Sequence, residues 1–261
     1  MSPDTSAPPT LSNEQFVQLV KTLEDADSIE LKLTVPESHQ RSTVAALELD
    51  PLEAQIRQVF FFDTPELALD AQGVVVRARR IQGKGADSIV KLRPVVPGEL
   101  PAELRRSGAF RVEVDALPGG FVCSGTLKGS PDQADVLRAA TGELPLRKLF
   151  SKEQRQLFAA HARDGIDLDA LTVLGPIFVL KLRLFPPQLG RRLVAEMWFY
   201  PDGSRILELS TRAETGEAFQ VAAEARAFLV ERGIDLSGEQ ETKTKKALQY
   251  FARDLKKTTK S

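Results

Sequence analysis

The sequence predicts an α+β fold in which eight antiparallel strands close into a β-barrel flanked by helices. Eight segments alternate polar and apolar residues with a period of two, which is typical of strands with two different faces. Turn residues separate several of them, as at Gly83 to Gly85 and at Pro201 to Gly203. Helical periodicity precedes the first strand and follows the last. Closure into a barrel is expected because it leaves no unpaired sheet edge.

The chain begins with a segment that is rich in proline and small polar residues. Residues 1–10 are predicted to be a disordered tail, and 11–261 to form one domain. The first helix is predicted over 11–26, where Ser12 and Gln15 have the spacing of a capping box.

The strand predictions follow this helix, and a helical region over 131–161 separates the fifth strand from the sixth. Two further helices are predicted within about 217–256, after the last strand. The eight predicted strands are Ser28–Val35, Arg57–Phe62, Gly73–Ile81, Ser88–Arg93, Phe110–Asp115, Ile177–Leu184, Leu193–Tyr200 and Arg205–Arg212.

The composition excludes several classes of function. The 261 residues are 42% hydrophobic and 27% charged, with a net charge of −1, so no overall field attracts a nucleic acid duplex or a membrane. The chain has one cysteine and two histidines, which rules out an internal disulfide and makes a zinc site or a histidine-based triad improbable. We therefore expect a cytoplasmic protein without membrane or duplex partners; its oligomeric state is left open.

The charged faces of the strands are the main functional signal. Strands three, four and six carry basic residues on this face, whereas strands five, seven and eight carry acids. A solvated antiparallel sheet also alternates charged and apolar residues, but it more often mixes both signs on one strand. The segregation favours faces that surround a common cavity. Such a cavity would be costly without a ligand, and a polyphosphate with a divalent metal would neutralise both walls.

Four segments then resemble a known family. SIELKL, VFFFDTPELALDAQGVVVRARR, IVKLR and VEVD are similar to the CYTH domain of the triphosphate tunnel metalloenzymes, and FDTP (Phe62 to Pro65) is the most specific piece. The segment ETKTKKAL, which contains Lys243, also resembles the lysine-bearing C-terminal helix of some members. The resemblance implies an eight-stranded antiparallel tunnel that binds a small-molecule triphosphate or polyphosphate with Mg²⁺ or Mn²⁺.

The resemblance also implies a role for each matching residue. Expected catalytic residues are Glu30, Lys32 and Glu208. Expected triphosphate-binding residues are Lys32, Arg77, Arg79, Lys91, Arg93, Lys181, Arg183 and Lys243. Expected metal-binding residues are Glu30, Glu113, Asp115, Glu196 and Glu208.

Two departures from the family pattern keep alternatives open. The first acid of the E-x-E-x-K motif is Ser28 here, and the second acid of the last strand is Ser210. The main hypothesis is a triphosphatase, a phosphoanhydride hydrolase acting on inorganic or organic triphosphate. The alternatives are a polyphosphate- or nucleotide-binding module without turnover, and an adenylate cyclase of the same family. A carrier of small apolar ligands is disfavoured by the charged faces.

Overall fold

The computed structural model describes residues 23, 25–118, 120–163, 165–236 and 243–258. The predicted tail over 1–10 and nearly all of the predicted helix over 11–26 lie outside the described residues. Nine strands form the barrel: β1 (Ser28–Val35), β2 (Gln55–Asp63), β3 (Val74–Ile81), β4 (Gly85–Leu92), β5 (Phe110–Leu117), β6 (Gly120–Gly129), β7 (Thr172–Leu184), β8 (Leu193–Phe199) and β9 (Arg205–Ala213). The described α-helices are α1 (Gln40–Ala46), α2 (Ala102–Arg106), α3 (Gln133–Ala140), α4 (Lys152–His161), α5 (Ala218–Glu231) and α6 (Lys243–Thr258).

The strands close in the order β1-β5-β6-β4-β3-β2-β7-β8-β9, and β9 pairs with β1 to complete the ring. The barrel is confirmed, but two details of the prediction are wrong. The barrel has nine strands rather than eight, because β6 was missed. It is also not fully antiparallel, since β1 and β5 run parallel. Asp27, just before β1, supports this parallel pairing with two hydrogen bonds to Val112 of β5. Its backbone N–H donates to the Val112 carbonyl at 2.8 Å, and its carboxylate accepts from the Val112 N–H at 2.6 Å.

Strand β6 lacks the pattern that reveals the other strands. Its sequence, GFVCSGTLKG, has glycine at both ends and in the middle, and glycine is disfavoured in strands. The tertiary packing explains Gly125, because a Cβ there would lie 2.5 Å from Cζ of the buried Phe110 ring on the paired strand β5. The strand is therefore specified by its neighbours rather than by its own residue preferences.

Helices α3 and α4 fall inside the predicted helical region and start at side-chain caps. Asp132 accepts from the Ala134 N–H, and Ser151 forms a capping box with Gln154. The buried Gln154 side chain also donates to the carbonyls of Ser88 and Leu127, which belong to β4 and β6. The cap of α4 thus anchors this helix to the barrel wall.

The apolar faces of the strands pack outward under the helices. Residues of β3 to β5 form one buried cluster with α3 and α4, and residues of β1 and β9 form another with α5. A third buried cluster, which we call the floor, packs residues of β2, β7, β8 and β9 together with residues of α6. It consists of Val59, Phe61, Leu174, Ile177, Val179, Trp198, Tyr200, Ile206, Ala247 and Leu248. The charged strand faces that remain inside surround the space above this floor.

No helix in the described part of the chain is both long and apolar enough to cross a membrane.

Replacing Gly125 with alanine is expected to destabilise the barrel, because the new methyl group would overlap the Phe110 ring. We expect the free energy of unfolding in urea to fall by about 1–3 kcal/mol. Gly120→Ala is the matched control on the same strand, since a Cβ there meets no atom within 4 Å. Equal stability of the two variants would contradict this account of β6.

Candidate functional site

The barrel interior holds one large charged cavity, the lumen, with a volume of about 560 Å³. Ten basic and six acidic side chains of the described residues line it, so positive charge is in excess by four. The basic residues are Lys32, Arg57, Arg77, Arg79, Lys91, Arg93, Lys181, Arg212, Lys243 and Lys245. The acidic residues are Glu30, Asp70, Glu113, Asp115, Glu196 and Glu208.

The first charge cluster in the lumen centres on Asp115 of β5, which lies beside Glu30 in the parallel pairing with β1. Lys32 Nζ is 2.7 Å from Asp115 and 3.2 Å from Glu30. Lys91 and Arg93 approach the same Asp115 carboxylate at 3.9 and 3.6 Å. Burial raises the pKa of Asp115, but Lys32 and Lys91 outweigh it and hold the pKa at about 2. This carboxylate therefore stays ionised and orders three cations around itself.

Glu30 is also ionised, and a neighbouring hydroxyl orients it. Burial raises its pKa, but Lys32 and Lys243 lower it further than burial raises it. Ser210 Oγ donates to Glu30 Oε1 at 3.0 Å. At one position where the resemblance expects an acid, the chain thus has a hydroxyl that hydrogen-bonds the remaining acid.

The second charge cluster joins β7, β8, β9 and α6. Glu196 and Glu208 are direct cross-strand partners, and Lys243 Nζ donates to both carboxylates, 2.7 Å from Glu208. Lys181 donates to Glu196 at 2.7 Å, and Arg57 lies 3.6 Å from it. Burial opposes ionisation of Glu196, but Lys243 and Lys181 hold its pKa well below the usual range. The two opposed carboxylates repel each other, and the ammonium group of Lys243 between them offsets this repulsion.

The third charge cluster lies on β3 and β4. Arg79 donates to Asp87 through two nitrogen atoms, each at 2.7 Å, and Lys128 lies 3.5 Å from the same carboxylate. The neighbouring Arg77 has no ion pair with a described residue, and its buried Nε has no hydrogen-bond partner there. Burial and the adjacent Arg79 lower the pKa of Arg77 to about 10. Arg77 is therefore a lumen cation that forms no ion pair within the described part of the chain, although Asp87 and Glu196 act on it at longer range.

Twelve of the thirteen predicted site residues line the lumen, and Arg183 does not. Arg183 lies two residues beyond Lys181 on β7 and lines a smaller adjoining pocket. Glu113 lies in the lumen, where it accepts from Arg212 at 2.7 Å. Lys243 also lines the lumen, where α6 brings its side chain onto Glu196 and Glu208.

Several lumen residues were missed by sequence reasoning. Arg57 alternates with Val59 and Phe61 on an otherwise apolar inward face, and this break in the pattern was a usable signal. Asp87, which does not line the lumen but pairs with the lumen residue Arg79, lies outside the predicted fourth strand, which begins three residues later than the observed one. Trp198 is the single tryptophan of the chain; it lines the lumen, and its Nε1 donates to Glu196 at 3.3 Å.

The carboxylates suit a hard divalent cation in ligand type, because Mg²⁺ and Mn²⁺ prefer oxygen donors. In this structure, however, each carboxylate pair contacts a lysine ammonium group: Lys32 lies against Glu30 and Asp115, and Lys243 against Glu196 and Glu208. Among the described residues no group of three or more acidic, histidine or cysteine side chains could hold a metal. A cation that also bound oxygen atoms of a ligand would need only one or two of these carboxylates.

Comparisons with known proteins support the fold. No family model matches the chain, and no curated protein matches its sequence. A candidate adenylate cyclase from Bacillus halodurans has a similar structure, with a TM-score of 0.58, 14% identity and coverage of 84% of this chain and 96% of that one. A candidate adenylyl cyclase from Hippeastrum, described as having a dominant triphosphatase activity, matches with a TM-score of 0.60, 18% identity and coverage of 82% and 92%. These similarities agree with the closed β-barrel expected from the CYTH resemblance, which here has nine strands and one parallel pair.

Lys91 is expected to lose its proton at a lower pH than an ordinary lysine. Burial lowers its pKa to about 8, and Asp115 at 3.9 Å compensates only in part. Charged Lys91 therefore lowers the free energy of unfolding below about pH 8. This destabilisation disappears as the pH rises from about 8 to 10.5, the ordinary pKa of a lysine. In NMR spectra of ¹³C-lysine-labelled protein, the Cε resonance that is missing from Lys91→Arg should change its chemical shift with pH. The midpoint of this titration should lie near pH 8. A midpoint at the ordinary lysine value would refute the assignment.

Removing Lys243 is expected to create a response to Mg²⁺ in the ligand-free protein. In Lys243→Met the opposed Glu196 and Glu208 lose their common cation, so the melting temperature should fall. Added Mg²⁺ should restore about 2–4 °C in this variant and change the wild type less. Arg253→Met, which removes an exposed charge from the same helix, is the control. An equal Mg²⁺ response in the wild type would contradict the proposed role of Lys243.

Proposed function

We propose that this protein is a hydrolase of triphosphates, inorganic or organic, which bind in the barrel lumen. The single observation that supports this most directly is a barrel cavity whose lining carries four excess positive charges, and in which Arg77 forms no ion pair with a described residue. Burying like charges is costly, so such a cavity favours an anionic ligand of high charge density. The triphosphatase activity described for the Hippeastrum protein, which shares the fold, agrees with this proposal.

Arginine and lysine side chains would bind the phosphate chain from several strands at once. Arg77 offers a guanidinium fork without a competing carboxylate, and such a fork matches two phosphate oxygens. Lys91 and Arg93 contact their shared Asp115 only at 3.6–3.9 Å, which leaves them able to turn towards a ligand. A bound phosphate would also raise the pKa of Lys91 and keep it charged.

Arg79 would contribute differently, because Asp87 fixes it with two hydrogen bonds. We propose that it provides a preorganised positive potential next to Arg77 rather than a flexible arm. Phosphoryl transfer depends mainly on positioning and electrostatic stabilisation, and fixed charges serve both.

The remaining proposed roles belong to the carboxylates. Glu30 and Glu208, with Asp115, Glu113 and Glu196 nearby, are the proposed ligands of Mg²⁺ or Mn²⁺, which would neutralise phosphate charge when bound. We propose that Glu30, which Ser210 orients through a hydrogen bond, would hold the attacking water. The water oxygen would form a bond to the terminal phosphorus as the bridging P–O bond breaks; the bridging oxygen would keep the electron pair on the shortened chain, and the water proton would pass to a phosphate oxygen. The products are inorganic phosphate and the shortened phosphate chain.

A second candidate function is binding without turnover. It is favoured by Ser28 and Ser210, which replace two expected acids, and by the lysines that already neutralise the remaining carboxylate pairs. Loss of metal-binding carboxylates usually costs activity more than it costs affinity for phosphate.

Arg77→Ala is expected to weaken tripolyphosphate binding by about 10- to 100-fold, because it removes a charge-assisted contact worth about 1.5–3 kcal/mol. Binding is measured by the fluorescence of Trp198 without metal, and turnover by phosphate release with Mg²⁺ or Mn²⁺. Arg205→Ala, which removes an exposed arginine at the start of β9, is the matched control and should behave as wild type.

The outcomes separate the candidate functions. Phosphate release that depends on Arg77 supports the hydrolase, whereas tight binding without release under either metal supports the binding module. Formation of cyclic AMP from ATP with Mn²⁺ would instead support a cyclase. Unchanged binding by Arg77→Ala would refute the proposed phosphate site.

A further inference from the structure

A second, smaller cavity of about 160 Å³ adjoins the lumen. Glu30, Lys181 and Arg212 line both cavities, so the two meet at these side chains. The other residues lining the smaller cavity are Arg183, Arg192, Val194, Ser210 and Thr211. We call this cavity the outer pocket.

The strand register places the outer pocket farther from the floor than the main charge clusters. On β7, Val179 belongs to the floor, Lys181 follows on the same face, and Arg183 lies one further step of about 6.6 Å along the strand. Arg183 is paired with Val194 on β8, and Val194 with Ser210 on β9. The cross-strand neighbours of Arg183 are thus the neutral side chains of Val194 and Ser210, and an acid at either position could pair with its guanidinium group.

The charge balance of the outer pocket is strongly positive. Four basic side chains line it, and Glu30 is its one acidic residue among those described. Lys181 and Arg212 have partners in Glu196 and Glu113, but Arg183 and Arg192 form no ion pair with a described residue. Ser210, where the family resemblance expects an acid, removes a negative charge from this pocket. The substitution therefore leaves two arginines available to an anion.

We propose that the outer pocket binds a fourth phosphoryl group, so that the preferred ligand is a linear polyphosphate longer than triphosphate. This inference rests on the proposed function, since it extends the phosphate chain from the lumen past Glu30 and Lys181. Two guanidinium groups suit the terminal oxygens of such a chain, because each can donate two parallel hydrogen bonds. The loss of acids at this end thus favours a longer anion.

The test compares tripolyphosphate with tetrapolyphosphate, using Trp198 fluorescence and calorimetry without metal. We expect wild type to bind tetrapolyphosphate at least about tenfold more tightly, the effect of one additional charge-assisted contact. The double variant Arg183→Ala/Arg192→Ala should lose this preference, because its affinity for tetrapolyphosphate should fall at least about tenfold further than its affinity for tripolyphosphate. Arg205→Ala, the exposed arginine control, should keep the preference.

A second variant tests the role of charge without removing arginine. Ser210→Glu restores the expected acid beside the outer pocket and should also abolish the preference for tetrapolyphosphate. Equal binding of the two chains by wild type, or a preference that survives the double variant, would overturn the inference while leaving the proposed function intact. Failure of wild type to bind either chain would overturn the proposed function itself.

A further arm distinguishes a linked phosphate from a free one. Inorganic phosphate is added to protein saturated with tripolyphosphate, and its binding is followed by calorimetry. If free phosphate binds in the outer pocket as tightly as the fourth group of tetrapolyphosphate does, the pocket is a site for separate anions, and the chain-length inference is wrong.

Discussion

The structure depends on mutual neutralisation of charges inside a closed barrel. Asp115, Asp87 and Glu196 are each buried, and each is contacted by at least two cations. Without these contacts the inward faces of β3, β4 and β7 would repel one another, and the ring could not close at low cost. The same constraint leaves a net charge in the lumen that bears on function. After the pairs are formed positive charge remains in excess, and this excess is what makes the lumen receptive to a polyanion.

Much of the barrel could be predicted because period-two alternation is a local property of the chain. The eight predicted strands overlap eight observed ones, and twelve predicted site residues line the same cavity. The failures come from non-local information. Strand β6 exists because Gly125 accommodates the Phe110 ring, and no pattern within β6 records this. The parallel pairing of β1 with β5 depends on Asp27 meeting Val112, which the order of segments along the chain does not reveal.

The sequence indicated which charged residues lie together, but their partners could not be read from it. Lys32 and Lys243 were expected to bind phosphate, and in the structure each contacts a pair of carboxylates. Lysine suits this position because its flexible stem lets one ammonium group turn from a carboxylate to another anion. The protein can therefore keep its acids neutralised in the absence of ligand. Arg79 has no such freedom, because both its hydrogen bonds to Asp87 fix the plane of its guanidinium group.

The floor gives the barrel interior two unlike ends. At one of them Val59, Trp198 and Ile206 pack with Ala247 and Leu248 of α6 in a buried apolar layer. The ionic side chains of the lumen lie beyond this layer along the same strands, as Lys181 follows Val179 on β7 and Glu208 follows Ile206 on β9. The interior is therefore polarised along the barrel axis, with an oily end against α6 and an ionic stretch beyond it.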